Sequence, residues 1–171
     1  MKLSDSKLIS ADIETVWSAL LNPEVLKECV PGCKDMKGTV EEGFEATVVQ
    51  KVGPVKATFK GAVSISNIVE GQSLTLSGEG KGGPAGFAKG GADVSLVEEE
   101  GGTRLSYDVE AKVGGKLAQL GSRIIDGFAK KMADDFFEKF KDALEDPEEG
   151  AETDQAEEEK PKKGWFKRLV S

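Results

Sequence analysis

Thr103-Arg104-Leu105-Ser106-Tyr107-Asp108-Val109-Glu110-Ala111-Lys112-Val113 sends Thr103, Leu105, Tyr107, Val109, Ala111 and Val113 to one side and five polar or charged residues to the other. A period of two is that of a β-strand, and one apolar face backed by one charged face is how an antiparallel sheet with a single solvated side reads. Directly after Gly114-Gly115 the period changes. Leu117, Leu120, Ile124, Phe128, Met132, Phe136 and Phe140 recur at steps of three and four, the spacing of one helical face. This predicts a helix running nearly to Leu144, about 29 residues or roughly 43 Å long at 1.5 Å per residue. A stripe that wide has to be buried, and the partner available is the apolar face of a sheet.

Toward the N-terminus the same period of two recurs. Phe44, Ala46 and Val48 alternate with polar positions, Val55, Ala57, Phe59, Gly61, Val63 and Ile65 continue the pattern, and Leu74 with Leu76 opens another run. The joining segments, Glu41-Glu42-Gly43, Gly53-Pro54, Glu70-Gly71-Gln72 and Glu100-Gly101-Gly102, are short and turn-like. Connections of that length join antiparallel neighbours, whereas parallel strands need a long crossover. The expectation is a meander of about six strands, with Lys2 to Ser10 as an additional N-terminal strand. Between that strand and the meander, Asp12 precedes Ile13, Val16, Trp17, Leu20 and Leu21, an amphipathic helix with an acidic cap that ends before Pro23. A second short helix starts at Pro23 and closes near Cys29, ahead of Pro31-Gly32. The fold class is α+β: a curved antiparallel sheet of about seven strands, two short helices after the first, and one long C-terminal helix.

The chain has 171 residues, 31 acidic and 23 basic, and no histidine. That length is one domain with a tail. Lack of imidazole removes the commonest general base and metal ligand, so histidine triads and zinc hydrolase sites are excluded. Two cysteines, Cys29 and Cys33, are too few for a four-thiolate cluster and read as free thiols. No metal and no covalent cofactor is expected. A net charge of -8 argues against nucleic acid as a partner. No signal-like apolar stretch opens the chain and no run approaches the ~18 apolar residues of a membrane span, which predicts a cytoplasmic protein.

Composition divides the chain into three expected segments. Residues 1–144 form the folded domain. From 145 to 160 there are nine acidic residues, one basic and no large apolar one, an acidic disordered linker. Such a linker would reach ~20 to 25 Å as flexible coil. In the last segment, 161–171, Trp165, Phe166, Leu169 and Val170 would gather on one side of a helix, with Lys162, Lys163, Lys167 and Arg168 around the other. Aromatic rings with cations suit the anionic inner-membrane surface, which would make the protein peripheral on the cytoplasmic membrane. A docking motif for a partner protein and a solubilising tail are the other readings.

Four stretches carry a family resemblance: Ile13-Glu14-Thr15-Val16-Trp17, Val30-Pro31-Gly32-Cys33, Val52-Gly53-Pro54-Val55, and Gly114-Gly115-Lys116-Leu117-Ala118-Gln119-Leu120-Gly121-Ser122-Arg123. With the element order they resemble the carbon monoxide dehydrogenase CoxG family of the START/Bet v 1-like (SRPBCC) superfamily over residues 1 to 144. Gly164-Trp165-Phe166 also looks like the membrane-anchoring end of longer members. The resemblance implies a helix-grip fold, in which the sheet wraps the long helix around a cavity. It also implies a non-catalytic accessory protein of a molybdenum hydroxylase of the carbon monoxide dehydrogenase type. Such a protein anchors the enzyme to the membrane, aids electron transfer to the quinone pool, and holds an isoprenoid quinone or similar hydrophobic small molecule. An assembly or maturation factor without a specific ligand, and a cyclase- or hydrolase-like enzyme, are the alternatives.

The candidate cavity set is Trp17, Leu20, Phe44, Val48, Phe59, Leu76, Tyr107, Leu117, Leu120, Ile124 and Phe128, with Phe87 as a gate at the entrance. The competing reading is a packed core. Ala46, Ala57, Gly61 and Gly78 are small and share the inward parity, leaving space. A mostly apolar lining suits a lipid-like or quinone ligand, and Tyr107 is the one phenol able to donate to a quinone carbonyl. Gly78, Gly80 and Gly83 spell G-x-G-x-x-G, but Pro84 and further glycines follow instead of a helix, so a dinucleotide site is rejected in favour of a bulged hairpin at the sheet's edge. The runs Asp134-Asp135 and Glu98-Glu99-Glu100 diverge as neighbours and read as solvated surface, and neither cysteine has a histidine to activate it.

Overall fold

The computed structural model describes residues 1–145. The tip at 161–171 and the linker beyond Glu145 lie outside the described residues. The elements run β1 (Lys2–Ile9), α1 (Ile13–Leu20), α2 (Pro23–Cys29), β2 (Cys33–Thr39), β3 (Gly43–Val52), β4 (Val55–Val69), β5 (Ser73–Lys81), a single 3-10 turn (Gly83–Ala85), β6 (Phe87–Glu99), β7 (Gly102–Gly114), α3 (Lys116–Gln119) and α4 (Ser122–Leu144). All seven strands form one antiparallel sheet in the order β1-β7-β6-β5-β4-β3-β2. The chain therefore meanders from β2 to β7, and the first strand closes onto the last.

The short helices form for the reasons the sequence supplies. The Asp12 carboxylate accepts the Thr15 amide at 2.9 Å, satisfying one of the donors that a helix start leaves orphaned. Asn22 does the same for α2 through Glu24 N at 2.9 Å, just before Pro23. Helix α4 packs against α2, β1 and β3, gripped by the sheet's inner face.

Two expectations change. The long helix is two pieces, because Gly121 adopts φ +91°, a left-handed value that α-helix cannot continue through. The glycine-rich hairpin of β5 and β6 is central in the sheet, with two or more strands on either side, and not at its edge. Its glycines serve close approach between neighbouring strands: a methyl group on Gly90 would lie 2.1 Å from Glu110 O.

The packed part of the interior sits under the C-terminal half of α4. Phe137, Phe140 and Leu144 meet Ile9, Val16, Trp17, Leu74, Val94, Leu96, Leu105 and Tyr107 in one buried cluster. Tyr107 stacks on Phe137 with centroids 5.1 Å apart. Thr103, fully buried, donates its hydroxyl to Ala11 O at 2.7 Å, so its burial carries no unsatisfied polar group. Lys7 bridges β1 to α4, with Nζ 3.5 Å from Asp5 and 3.4 Å from Asp134.

Candidate functional site

Strand register decides where the interior is full and where it is hollow. Reading across the inner face, Ala46 stands opposite Gly61, Gly61 opposite Gly80, Gly80 opposite Ala88, and Ala88 opposite Val113. Four of the five side chains in this row are hydrogen or methyl. Over it α3 and the first two thirds of α4 present Leu117, Ile125, Phe128, Ala129, Met132, Ala133 and Phe136, and between the two layers lies a cavity of about 510 Å³. A methyl group built on Gly80 would meet nothing within 4 Å, so the missing side chain there is part of the empty space.

Each wall has a local cause. Val48, Gln50 and Val52 of β3 and Phe59 of β4 form one side, Val109, Ala111 and Val113 of β7 with Met1 and Leu3 the other. Phe59 holds its ring against Gly82, where a methyl group would come within 2.4 Å of Cε1. The flank between α2 and β2 is Val30-Pro31. It is fastened to β3 because Val49 N donates to Gly32 O at 2.9 Å, and a side chain on Gly32, at φ +76°, would lie 2.1 Å from Val49 O. Gln50 is the one lining residue with a polar side chain, and its Nε2 donates one of its two hydrogens to Pro31 O. Walls this apolar hold a guest by burying its surface, with one amide to orient it.

Of the twelve side chains expected at a cavity, Val48, Phe59, Leu117 and Phe128 stand in this wall. The other eight lie elsewhere. Trp17 and Tyr107 belong to the packed cluster, with Leu20 and Leu76 packed against it. Tyr107 stacks on Phe137 and is not among the residues lining the cavity; burial first, then the charges of Asp5 and Asp134, push its phenol pKa up. Phe44 is buried at the far end of β3, beside the β2–β3 turn. Leu120 and Ile124 sit beyond the wall against Gly53, and Ile124 is 39% exposed at the edge of the α4 face that Ile125 and Phe128 present to the cavity. Phe87, 43% exposed, has outer parity and lays its ring over Gly114, so it does not gate the cavity from this position.

Sequence reasoning does not reach Gln50 or Ile125, and it does not assign Met132, Phe136 or Val109, Ala111 and Val113 of β7 to the cavity. The signal for Gln50 was present: the inward parity of Phe44, Ala46 and Val48 continues through it to Val52.

The remaining reactive groups are quiet. Cys29 is buried and its thiol is pushed up to about 12 by burial, then by Glu28; the Cys33 thiol is raised as well, chiefly by burial. Thiols so protonated are poor nucleophiles. Among the described residues no group of three or more Cys, Asp or Glu side chains is placed to hold a metal ion. Among the same residues no helix is long and apolar enough to cross a membrane.

Residues 6–145 match CoxG, the family described as the G subunit of carbon monoxide dehydrogenase. A conserved protein from Geobacillus kaustophilus is 30% identical, with 84% of this chain and 95% of that one covered at a TM-score of 0.78. A START superfamily protein from Mycobacterium smegmatis, 14% identical, shares the fold at TM-score 0.63 over 84% of this chain and 97% of its own. An uncharacterised protein from Rhizobium leguminosarum, also 14% identical, does so at 0.67 over 85% and 94%. No curated protein matches the chain.

Proposed function

The chain belongs to the carbon monoxide dehydrogenase CoxG family, and from that premise we propose a non-catalytic accessory protein whose cavity holds an isoprenoid quinone or a similar lipid-like molecule. The observation that carries this reading is the hollow of about 510 Å³ with apolar walls and Gln50 as its one polar side chain. That volume falls within the usual range of small-molecule sites, roughly 300 to 1,000 Å³. A planar ring with an isoprenoid tail fits such walls, and the second N–H of the Gln50 amide is the donor that a quinone carbonyl would accept from. The protein's own part is to bind the guest, keep water from it and present it; the quinone, when bound, supplies the redox chemistry.

The partner is a molybdenum hydroxylase of the carbon monoxide dehydrogenase type, as the family name suggests, and the protein tethers it to the cytoplasmic membrane through residues 161–171. Electrons then pass toward the quinone pool. Mass spectrometry of a solvent extract of the protein, purified from its native host, tests the ligand. A quinone or lipid in stoichiometric amount is the expected result, and a cavity that is empty in repeated preparations overturns it. Vesicle flotation with and without residues 161–171 tests the anchor, which fails if removing them leaves flotation unchanged.

A further inference from the structure

The outer face of the sheet carries a charge pattern that the cavity does not use. Lys51 of β3 stands directly opposite Lys56 of β4, Lys60 of β4 opposite Lys81 of β5, and Lys89 of β6 opposite Lys112 of β7. All six lysines are exposed, and the one carboxylate set opposite any of them is Glu79 of β5, across from Lys89. Like charges placed opposite each other on neighbouring strands destabilise a sheet, and here three such pairs sit at one end of it. Lys116 of α3 and Arg123 of α4 join them at the same end. Among the described residues none of these eight cations is within ion-pair distance of a carboxylate, while Lys2, Lys7, Arg104, Lys130 and Lys131 all are.

The arrangement follows the meander. Its turns alternate between the two ends of the sheet, and their charges alternate with them. The β2–β3, β4–β5 and β6–β7 turns hold Glu41 and Glu42, Glu70, and Glu99 to Glu100. Lysines flank the β3–β4, β5–β6 and β7–α3 connections. The basic end also exposes apolar side chains: Phe87, opposite Lys81, and Ile124, beside Gly53.

We propose that this end of the folded domain is a docking surface for an anionic lipid bilayer. Cations ringing exposed apolar side chains are the composition that meets charged headgroups and the upper acyl region. A protein partner fits less well, because protein interfaces are depleted in lysine and favour the forked geometry of arginine, and seven of these eight cations are lysines. A fluid anionic surface asks only for point charges. The docking surface is separate from the C-terminal tip and stands without it. It sets the Val52, Phe59 and Leu117 end of the cavity toward the bilayer.

The test uses the full chain and vesicles of phosphatidylcholine with and without phosphatidylglycerol. Lys56→Glu, Lys81→Glu and Lys112→Glu together turn each like pair into an opposite pair. At about fivefold in partitioning per lysine near an anionic surface, that variant binds anionic vesicles a hundredfold or more weaker at low salt. Its thermal midpoint holds or rises, since the new cross-strand pairs attract. Lys27→Glu, Lys37→Glu and Lys139→Glu change the net charge equally and leave binding within about threefold. Equal losses in both variants, no loss in the first, or no binding of the unsubstituted chain overturns the proposal. Loss of capture by an acidic protein with vesicle binding intact overturns it too. Repeating the measurement with Trp165→Ala and Phe166→Ala separates the two membrane contacts. A lysine-dependent loss that persists supports the docking surface, and a loss traced to the tip alone supports the anchor and rejects this one.

Discussion

Where the C-terminal half of α4 lies on the sheet, the facing rows are Leu74, Val94 and Tyr107, then Leu96 and Leu105, and Phe137 and Phe140 fill what space they leave. Farther along the same strands the row is Ala46, Gly61, Gly80, Ala88 and Val113, and the same helix passes over a hollow of about 510 Å³. The backbone is continuous through both. A cavity in this fold therefore needs no special loop, only small residues placed in register on several neighbouring strands under a helix that cannot collapse onto them. The packed half, tied by α1 and the Lys7 bridge, supplies the stability that lets the other half stay open.

The sharpest way to break that division is to truncate one large side chain in each half. Phe140→Ala, at a fully buried position, should cost about 3 to 5 kcal/mol, and Phe128→Ala, half-buried beside existing space, about 1 kcal/mol or less. Denaturant midpoints check the difference; equal costs would mean the two halves are packed alike. Filling the hollow comes next. At Gly80 an added Cβ meets nothing within 4 Å and no left-handed backbone is required, so Gly80→Leu should send its branches into the hollow and change stability by less than about 1 kcal/mol. The amount of apolar ligand recovered from the protein should fall about tenfold or more. A folded variant that still binds fully would place the guest elsewhere.

Smaller effects sharpen the account of the packed half. Asp12→Ala removes the cap of α1 and should cost about 1 kcal/mol by thermal melting at neutral pH. The Asp12 carboxyl is held below its ordinary value of 3.8 by the hydrogen bond from Thr15, so its contribution is complete above that pH and is lost as the pH falls through the lower folded value. The difference between parent and variant should shrink in acid accordingly. Cys29, raised from 9.0 to about 12, keeps its proton in the folded protein while the unfolded chain loses it. Its stabilising contribution is present below pH 9.0 and disappears as the pH rises toward about 12. At neutral pH iodoacetamide should modify the half-buried Cys33 well before Cys29, and an equal rate for the two would show the packed half to be loose.

Much of this was legible in residue order. The run from Thr103 to Val113 marked a strand and both its faces, Asp12 and Pro23 marked two helix starts, and the turn segments marked an antiparallel meander. Less of the site was. Tyr107 and Val109 have the same parity and similar neighbours in the chain, yet one is stacked on Phe137 and the other lines the cavity. Parity gives a face but not the place along it where a helix side chain arrives. Ile124 and Ile125 show the same limit, since both lie on α4 near the apolar stripe and only Ile125 is buried.

Local sequence determined period, caps and turns because those depend on neighbours one to four residues away. Tertiary structure decided what stands beside what. The hollow row draws one residue from each of five strands, and the lysine pairs join residues whose meeting depends on strand register. Both are sums over distant parts of the chain, which a whole-chain charge of -8 or a count of glycines averages away.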